Sequence, residues 1–322
     1  MSATTLQSTL KSRDTEEWLD IYFTRPLGLL WARLFDHFGI HPNVVTVLSI
    51  LLGIGAAWMM YLGEAHYWCN IVGILLLVWA NIYDSCDGQL ARMTGKKTRW
   101  GRILDGFAGD VWFFCIYFAI CWRLQDEPLP FCPSHHWGIG IWLLCAFSGL
   151  VLHAKQCQLA DYYRNIHLYF LKGKSGSELD TSAALRQEFR TLRWRSSDWH
   201  VKLYLYFYAN YTAAQEAQTP AWQRLRQALS ARYVDAAEMP QALRDDFRRG
   251  SLPMMKWANI LTFNTRAIAL YVALLMDEPW LYPAFECLVL TVIWWYMRRK
   301  HEAHCTHLLS AVETGHYQTT QS

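Results

Sequence analysis

The stretch YDSCDGQLARMTGKKTRWGRILDGFAGD, residues 83–110, sets Asp84, Asp87, Asp105 and Asp110, five glycines and a basic turn between two strongly apolar segments. Charge at the edge of hydrocarbon-compatible chain is costly unless it is paired or does chemistry. Apolar runs at 66–83 and 105–122 flank the stretch, and further ones lie at 43–62, 136–155, 257–276 and 279–297. Each is long enough, or nearly so, to cross a hydrocarbon layer of roughly 30 Å. Backbone groups in lipid are satisfied only within the segment, so the expected spans are helices, six in number.

Composition agrees with a membrane protein that keeps a wet portion: 53% of the 322 residues are hydrophobic and 15% aromatic, yet 18% are charged. A net charge of +3 is too small to argue for nucleic acid, and Lys and Arg gather beside apolar runs rather than along one face. Arg25 and Arg33 precede the first run, Arg92, Lys96, Lys97, Arg99 and Arg102 follow the second, Lys155 and Arg164 the fourth, and Arg298 to Lys300 the sixth. The opposite loops carry Glu64, Asp126, Glu127, Asp277 and Glu278, with Arg123 as their only basic residue. The positive-inside rule then puts both termini and the 84–110 face in the cytoplasm. The opening MSATTLQSTLKSRDTEEWLD lacks the pattern of a secretory signal, so no presequence is expected. Nine cysteines without a CxxC pair, mostly in apolar stretches, read as small buried hydrophobes.

The expected organisation has five parts. Residues 1–42 form a tail and an amphipathic juxtamembrane helix (WLDIYFTRPLGLLWARLFDHFGIHPN), with Pro42 at the start of the first span. Residues 43–171 hold spans one to four, 172–256 a cytoplasmic insertion, 257–300 spans five and six, and 301–322 a C-terminal tail. Within 172–252 there are 13 Lys/Arg against nine Asp/Glu, which keeps the segment in water. AWQRLRQALSARY after Thr219-Pro220 predicts a helix. The run LYLYFYANY, 203–211, alternates like a strand and equally suits an interfacial helix.

Asp84 and Asp87, three apart near a helix end, share one face. Asp105 opens the next span after a turn that can bring it opposite them. Such carboxylates repel one another, so a cation should lie between them, and their hard oxygens favour Mg²⁺, Mn²⁺ or Ca²⁺ over zinc. Gly88, Ala91 and Gly101 let a bulky ligand approach the backbone, and Arg92 offers a forked donor suited to phosphate. These are the parts of a nucleotide pyrophosphate site.

Asp84-x2-Asp87-Gly88-x2-Ala91-Arg92-x8-Gly101-x3-Asp105 resembles the CDP-alcohol phosphotransferase signature, DxxDGxxAR(x8)GxxxDxxxD, at seven of its eight fixed positions. HPNVVT, 41–46, is similar to that family's usual start of the first helix. The resemblance covers about 15–165 and 255–300 and leaves the insertion outside. It implies an all-α integral membrane enzyme that cleaves a CDP-linked donor, passes the phosphoalcohol to a hydroxyl and releases CMP. It also implies two divalent ions, Mg²⁺ or Mn²⁺, on Asp84, Asp87 and Asp105, the nucleotide on Gly88, Ala91, Arg92 and Gly101, and a homodimer. The expected donor is CDP-diacylglycerol, and the favoured acceptor is inositol phosphate. Glycerol phosphate, an amino alcohol or a ceramide-type lipid are the alternatives. The expected setting is the cell inner membrane, with the active site in the cytoplasm.

The eighth position, where the family's general base sits, is Gly109 here. On an α-helix a residue four beyond Asp105 stays within about 40° of it, whereas Asp110, five beyond, lies at about 140°. A π-bulge would bring Asp110 back as the base, and Gly106 and Gly109 would ease it. Without a bulge the base comes from elsewhere, or the chain is a non-catalytic nucleotide-lipid-binding scaffold. Lys155, Arg164 and Arg266 are candidate ligands for an acceptor phosphate, with snorkelling to the interface as the plain alternative. CPSHH (132–136) and HEAHCTH (301–307) lack metal-site spacing, and Gly53-x-Gly55 with Ala56 and Ala57 reads as a helix-packing face. A membrane prenyltransferase would need a second aspartate-rich motif, and none follows residue 110.

Overall fold

The computed structural model describes residues 12, 14–96, 99–194 and 199–317, with the side chains of residues 99, 100, 102, 103, 105 and 175 outside the described set. The fold is almost wholly helical. Five helical stretches among the described residues are long and apolar enough to cross a membrane: Pro42–Leu62, Trp68–Thr94, Gly106–Leu124, Ile139–Lys172 and Gln241–Leu275. The sixth expected span is helical as well, in three pieces, Leu281–Phe285, Glu286–Leu290 and Thr291–Glu313. Pro283, Glu286 and the Trp294-Trp295-Tyr296 run leave it less apolar than the other five.

The chain divides into two compact units. The first comprises Glu16–His153 and Arg266–Leu288. A π-helical turn, Asp20–Thr24, leads into α1 (Arg25–His37), which buries Gly28, Leu29, Ala32 and Phe35 and exposes Leu30 and Leu34. That is the amphipathic helix expected before the first span. The next helix, α2 (Pro42–Leu62), starts at His41, whose Nδ1 accepts from the Asn43 amide at 3.2 Å. Pro42 sits in the first turn, where its missing N–H costs nothing. Helix α3 (Trp68–Thr94) ends on Gly95, whose φ of +70° is open to glycine without strain.

Helix α4 (Arg99–Leu124) packs against α2, and Gly53 explains how closely: a Cβ there would fall 2.0 Å from Trp112 Cδ1. Outward, Phe107, Phe114, Phe118 and Trp122 form an exposed stripe on α4, and Val47, Leu51, Ile54 and Trp58 one on α2. Apolar side chains turned outward with Ala56, Met60, Ile116 and Ile120 inside are what a lipid solvent asks of a bundle. A short antiparallel hairpin, β1 (Pro128–Leu129) with β2 (Cys132–His136), precedes α5 (Ile139–Ala146). A π-helical segment, Phe147–His153, follows α5. At the loop end of this unit the buried Arg123 donates to Asn70 Oδ1 (2.7 Å) and the Met60 carbonyl (3.0 Å), and ion-pairs with Asp277.

The second unit comprises 154–265, 289–317 and residues 12, 14 and 15. It contains α6 (Ala154–Lys172), α7 (Ser182–Thr191), α8 (Trp199–Gln218), α9 (Pro220–Ser230), α10 (Gln241–Ile260) and α13 (Thr291–Glu313). Between them, α11 (Phe263–Leu275) and α12 (Leu281–Phe285) lie largely or wholly in the first unit. The insertion is helical and does not fold apart from the rest, since it shares a core with α6 and α13. Phe170 stacks on Phe247 at 3.7 Å, Tyr163 on His301 at 3.7 Å, and Trp222 Nε1 donates to Tyr162 Oη at 3.2 Å. The run 203–211 is helical within α8, because Leu205 and Ala209, four apart, bury against Leu185 of α7. His301 and His304 of the HEAHCTH stretch are used in packing, His304 through a 3.2 Å bond to the Phe247 carbonyl.

Candidate active site

Three helices of the first unit hold the motif from behind. Ala32 and Phe35 of α1, Val45 of α2, and Cys86 and Leu90 of α3 form one buried cluster with Trp31, Tyr83 and Met93 around it. Gly28 brings α1 onto the motif helix, since a Cβ there would sit 3.0 Å from Gln89 Nε2 and 3.2 Å from the Cys86 amide. Gln89 Nε2 donates to the Arg25 carbonyl at 3.1 Å and pins α1 in register.

Asp84 is half-buried and Asp87 only 3% exposed, three residues apart on α3. The Asp87 carboxylate accepts a hydrogen bond from Thr46 Oγ1, which fixes its rotamer. Thr46 is the last residue of HPNVVT, so the start of the first span carries a partner for the motif. Gly88 lies beside Arg92: a Cβ at 88 would meet the Arg92 guanidinium at 3.4 Å and narrow the cradle. Ala91 is half-buried and Arg92 exposed, while Gly101 lies in the first turn of α4.

The donor set fits a divalent ion. Asp84 and Asp87 offer hard oxygens on one helix face, one held by a hydroxyl, with the guanidinium a turn further on for phosphate. Among the described residues no group of three His, Cys, Asp or Glu gathers at one point, and the Asp105 side chain lies outside them.

Helix α4 is α-helical throughout Arg99–Leu124, so of the two alternatives it takes the one without a bulge after Asp105. Asp110 is exposed and Gly109 half-buried. Without an inserted residue Asp110 keeps its offset of about 140° from Asp105. The face that follows Asp105 is Gly109, Trp112 and Ile116, turned to α2, whereas Asp110 shares its face with Phe113 and Tyr117. π-helical turns occur elsewhere, at Phe147–His153 and Glu286–Leu290, and both supply a buried polar cluster.

In that cluster Glu286 and Arg266, both fully buried, form an ion pair. Glu286 also accepts from Tyr282 Oη (2.7 Å), Tyr117 Oη and Ser148 Oγ, and pairs with His153 Nδ1 at 3.0 Å. Phe113 packs on the His153 ring at 4.6 Å. Gly149 makes room, because a Cβ there would strike the Tyr117 ring at 2.7 Å. Arg266 is therefore committed to Glu286, which removes it from the expected phosphate ligands. Arg164 donates to Asn259 Oδ1 (Nε, 3.1 Å) and Thr262 (3.3 Å) in the second unit, and Lys155 there is exposed. Glu286, His153 and Thr46 escaped the sequence reading. A lone glutamate inside FECLVLTV was the available signal, since an ionisable group in a span asks for a named partner.

The first unit is a bundle of apolar helices in which α3 carries a half-buried and a buried aspartate, a glycine and an exposed arginine within nine residues. Residues 39–158 match the family model described as CDP-alcohol phosphatidyltransferase. It is 37% identical over 84 residues to phosphatidylinositol phosphate synthase of Streptomyces avermitilis, covering 26% of this chain and 32% of that protein. It is 39% identical over 67 residues to archaetidylinositol phosphate synthase of Pyrococcus horikoshii, covering 21% and 33%. A CDP-diacylglycerol-glycerol-3-phosphate 3-phosphatidyltransferase of Cereibacter sphaeroides is 34% identical over 67 residues, covering 21% and 30%. The chain thus spans about a third of the length of the curated relatives it matches. No solved structure matches it.

Proposed function

We propose that the protein transfers a phosphoalcohol from a CDP-linked donor, CDP-diacylglycerol, to an acceptor hydroxyl and releases CMP, with inositol phosphate as the acceptor. The observation that carries this reading is the seven-position motif on α3 and α4, with Asp87 held by Thr46 and Gly88 clearing the Arg92 fork.

In this reading Asp84, Asp87 and Asp105 hold two Mg²⁺ or Mn²⁺ ions. When bound, these would polarise the pyrophosphate and neutralise the charge that develops on departing CMP. Thr46 keeps the Asp87 carboxylate from rotating away. Gly88, Ala91 and Gly101 admit the nucleotide against the backbone, and Arg92 donates to a phosphate oxygen. The acceptor oxygen bonds to the lipid-proximal phosphorus as the bond to CMP breaks, and the hydroxyl proton must pass to a base. Gly109 supplies none. Asp110, exposed on α4, is the base for an acceptor held on its own side of the helix, which suits a loose transition state needing position more than base strength. The inositol-type acceptor is supported by the names of two relatives, and Lys155 and Arg164 remain the candidate phosphate ligands. By the charge bias of the loops the site faces the cytoplasm, and the inner membrane and a homodimer complete the proposal.

The test is CMP release by the full chain reconstituted with CDP-diacylglycerol and Mn²⁺, across inositol phosphate, glycerol phosphate, amino alcohols and ceramide. Turnover greatest with inositol phosphate supports the assignment, and turnover with another acceptor alone replaces it. The Gly109 substitution favours a second reading, a nucleotide-lipid-binding scaffold. Tight CDP-lipid binding with no CMP from any acceptor would select it.

A further inference from the structure

Away from the aspartate motif, the second unit contains a groove of about 350 Å³ between α10 and α13. It is lined by Lys256 and Trp257 of α10 and by Tyr296, Lys300 and His304 of α13, with Gly250 and Pro253 opening the α10 side. The volume is enough for a small polar head group. Gly250 shapes it directly, because a Cβ there would lie 2.2 Å from His304 Cε1. His304 is in turn anchored to the Phe247 carbonyl.

The groove's chemistry is layered. Trp257 and Tyr296 meet edge to face at 5.4 Å and form an aromatic wall. Lys256 Nζ lies over the Trp257 ring, 5.4 Å from its centre, and Lys300 Nζ over that of Tyr296 at 5.9 Å, so each ammonium group stands against the aromatic wall. In sequence Lys256 immediately precedes the apolar run 257–276 and Lys300 follows the run 279–297. The two cations therefore mark the same boundary between hydrocarbon and water. Tryptophan and tyrosine concentrate at that depth, one end apolar and the other wet. On the hydrocarbon side of Lys300, Val292 and Trp295 of α13 are exposed, so an apolar flank runs along the helix away from the cations.

We propose that this groove binds the head group of an anionic phospholipid of the surrounding leaflet, with Lys256 and Lys300 on its phosphate and the acyl chains along the exposed apolar flank. The shared chemistry is a phosphate ester, which a soluble phosphoalcohol also offers. The apolar flank favours the lipid. The site is independent of the transfer reaction and stands or falls separately from it.

The experiment is native mass spectrometry of the full chain in detergent, titrated with phosphatidylglycerol and, in parallel, phosphatidylcholine of the same chains. Two lysines near an anionic phosphate are expected to make phosphatidylglycerol bind about 10-fold to 30-fold more tightly. Lys256→Ala/Lys300→Ala should abolish that preference. Lys256→Arg/Lys300→Arg should keep most of it, and Arg186→Gln/Arg190→Gln, which removes two exposed charges on α7, should leave it intact. A melting curve for each variant confirms that it is folded. Inorganic phosphate and glycerol 3-phosphate form the second arm. If the double alanine variant, still folded, retains the preference, the site is elsewhere. If millimolar glycerol 3-phosphate displaces phosphatidylglycerol, the groove takes a soluble phosphate and the lipid assignment is wrong.

Discussion

Replacing Arg266 by methionine removes the principal counter-charge of Glu286, a carboxylate with no solvent exposure. The hydroxyls of Tyr117, Ser148 and Tyr282 and the His153 ring would still contact it, but the guanidinium would be gone. Breaking one side of a buried pair costs about 3–5 kcal/mol, most of it the desolvation of the charge left behind. Adding Glu286→Gln to Arg266→Met removes that charge, and replacing both partners is often close to neutral, so the double variant should regain roughly 2–3 kcal/mol. Unfolding of the full chain in mixed micelles, followed by far-ultraviolet circular dichroism, gives the cycle. The reasoning fails if Arg266→Met unfolds within about 1 kcal/mol of the unaltered protein while its KM for a phosphorylated acceptor rises, because Arg266 would then be a phosphate ligand.

Thr46→Val removes the hydroxyl that fixes Asp87 and should weaken Mn²⁺ binding by about 10-fold to 100-fold, the usual effect of losing a group that orients a ligand. Manganese titration with paramagnetic resonance readout checks it, and unchanged affinity would remove Thr46 from the site. Gly53→Leu forces a side chain into the Trp112 ring and should cost about 1–3 kcal/mol in the same unfolding assay. Gly55→Leu, where the nearest atom is 3.8 Å away, should cost much less. Burial raises the pKa of Asp14, yet its bonds to Arg248 (2.9 Å) and His167 (3.3 Å) outweigh that and hold the carboxyl below its ordinary 3.8. A carboxyl lowered in the folded state stabilises above its unfolded pKa and loses that contribution as pH falls through the folded one. The protection of the residue 14–15 amides, measured relative to their intrinsic exchange rate at each pH, should therefore fall below about pH 4, and in Asp14→Asn it should be low at both pH 3 and pH 7.

The placement of Asp84, Asp87, Gly88 and Arg92 along one helix was legible in the sequence, because local helix geometry turns their spacing into shared faces. The same geometry warned that Asp110 stands five residues on, but whether a π-bulge forms depends on tertiary packing that sequence does not display. Besides the turn at Asp20–Thr24, the structure puts π-helical turns at Phe147–His153 and Glu286–Leu290, where Ser148, His153 and Glu286 converge. Arg266 looked like a phosphate ligand because its buried partner lies 20 residues away on another helix. The alternation in 203–211 was ambiguous because aromatics satisfy both periods, and the contact of Leu205 and Ala209 with α7 decided for helix. Five spans emerged as expected, whereas Glu286 and Pro283 set the sixth apart.

The central claim is that the α3 and α4 motif performs metal-dependent transfer from a CDP-linked lipid. The most direct measurement is CMP release from CDP-diacylglycerol by the reconstituted full chain with Mn²⁺, beside Asp87→Asn and a chelator control. Release should vanish in both controls while Asp87→Asn remains folded. Release that persists in Asp87→Asn at the unaltered rate would contradict it.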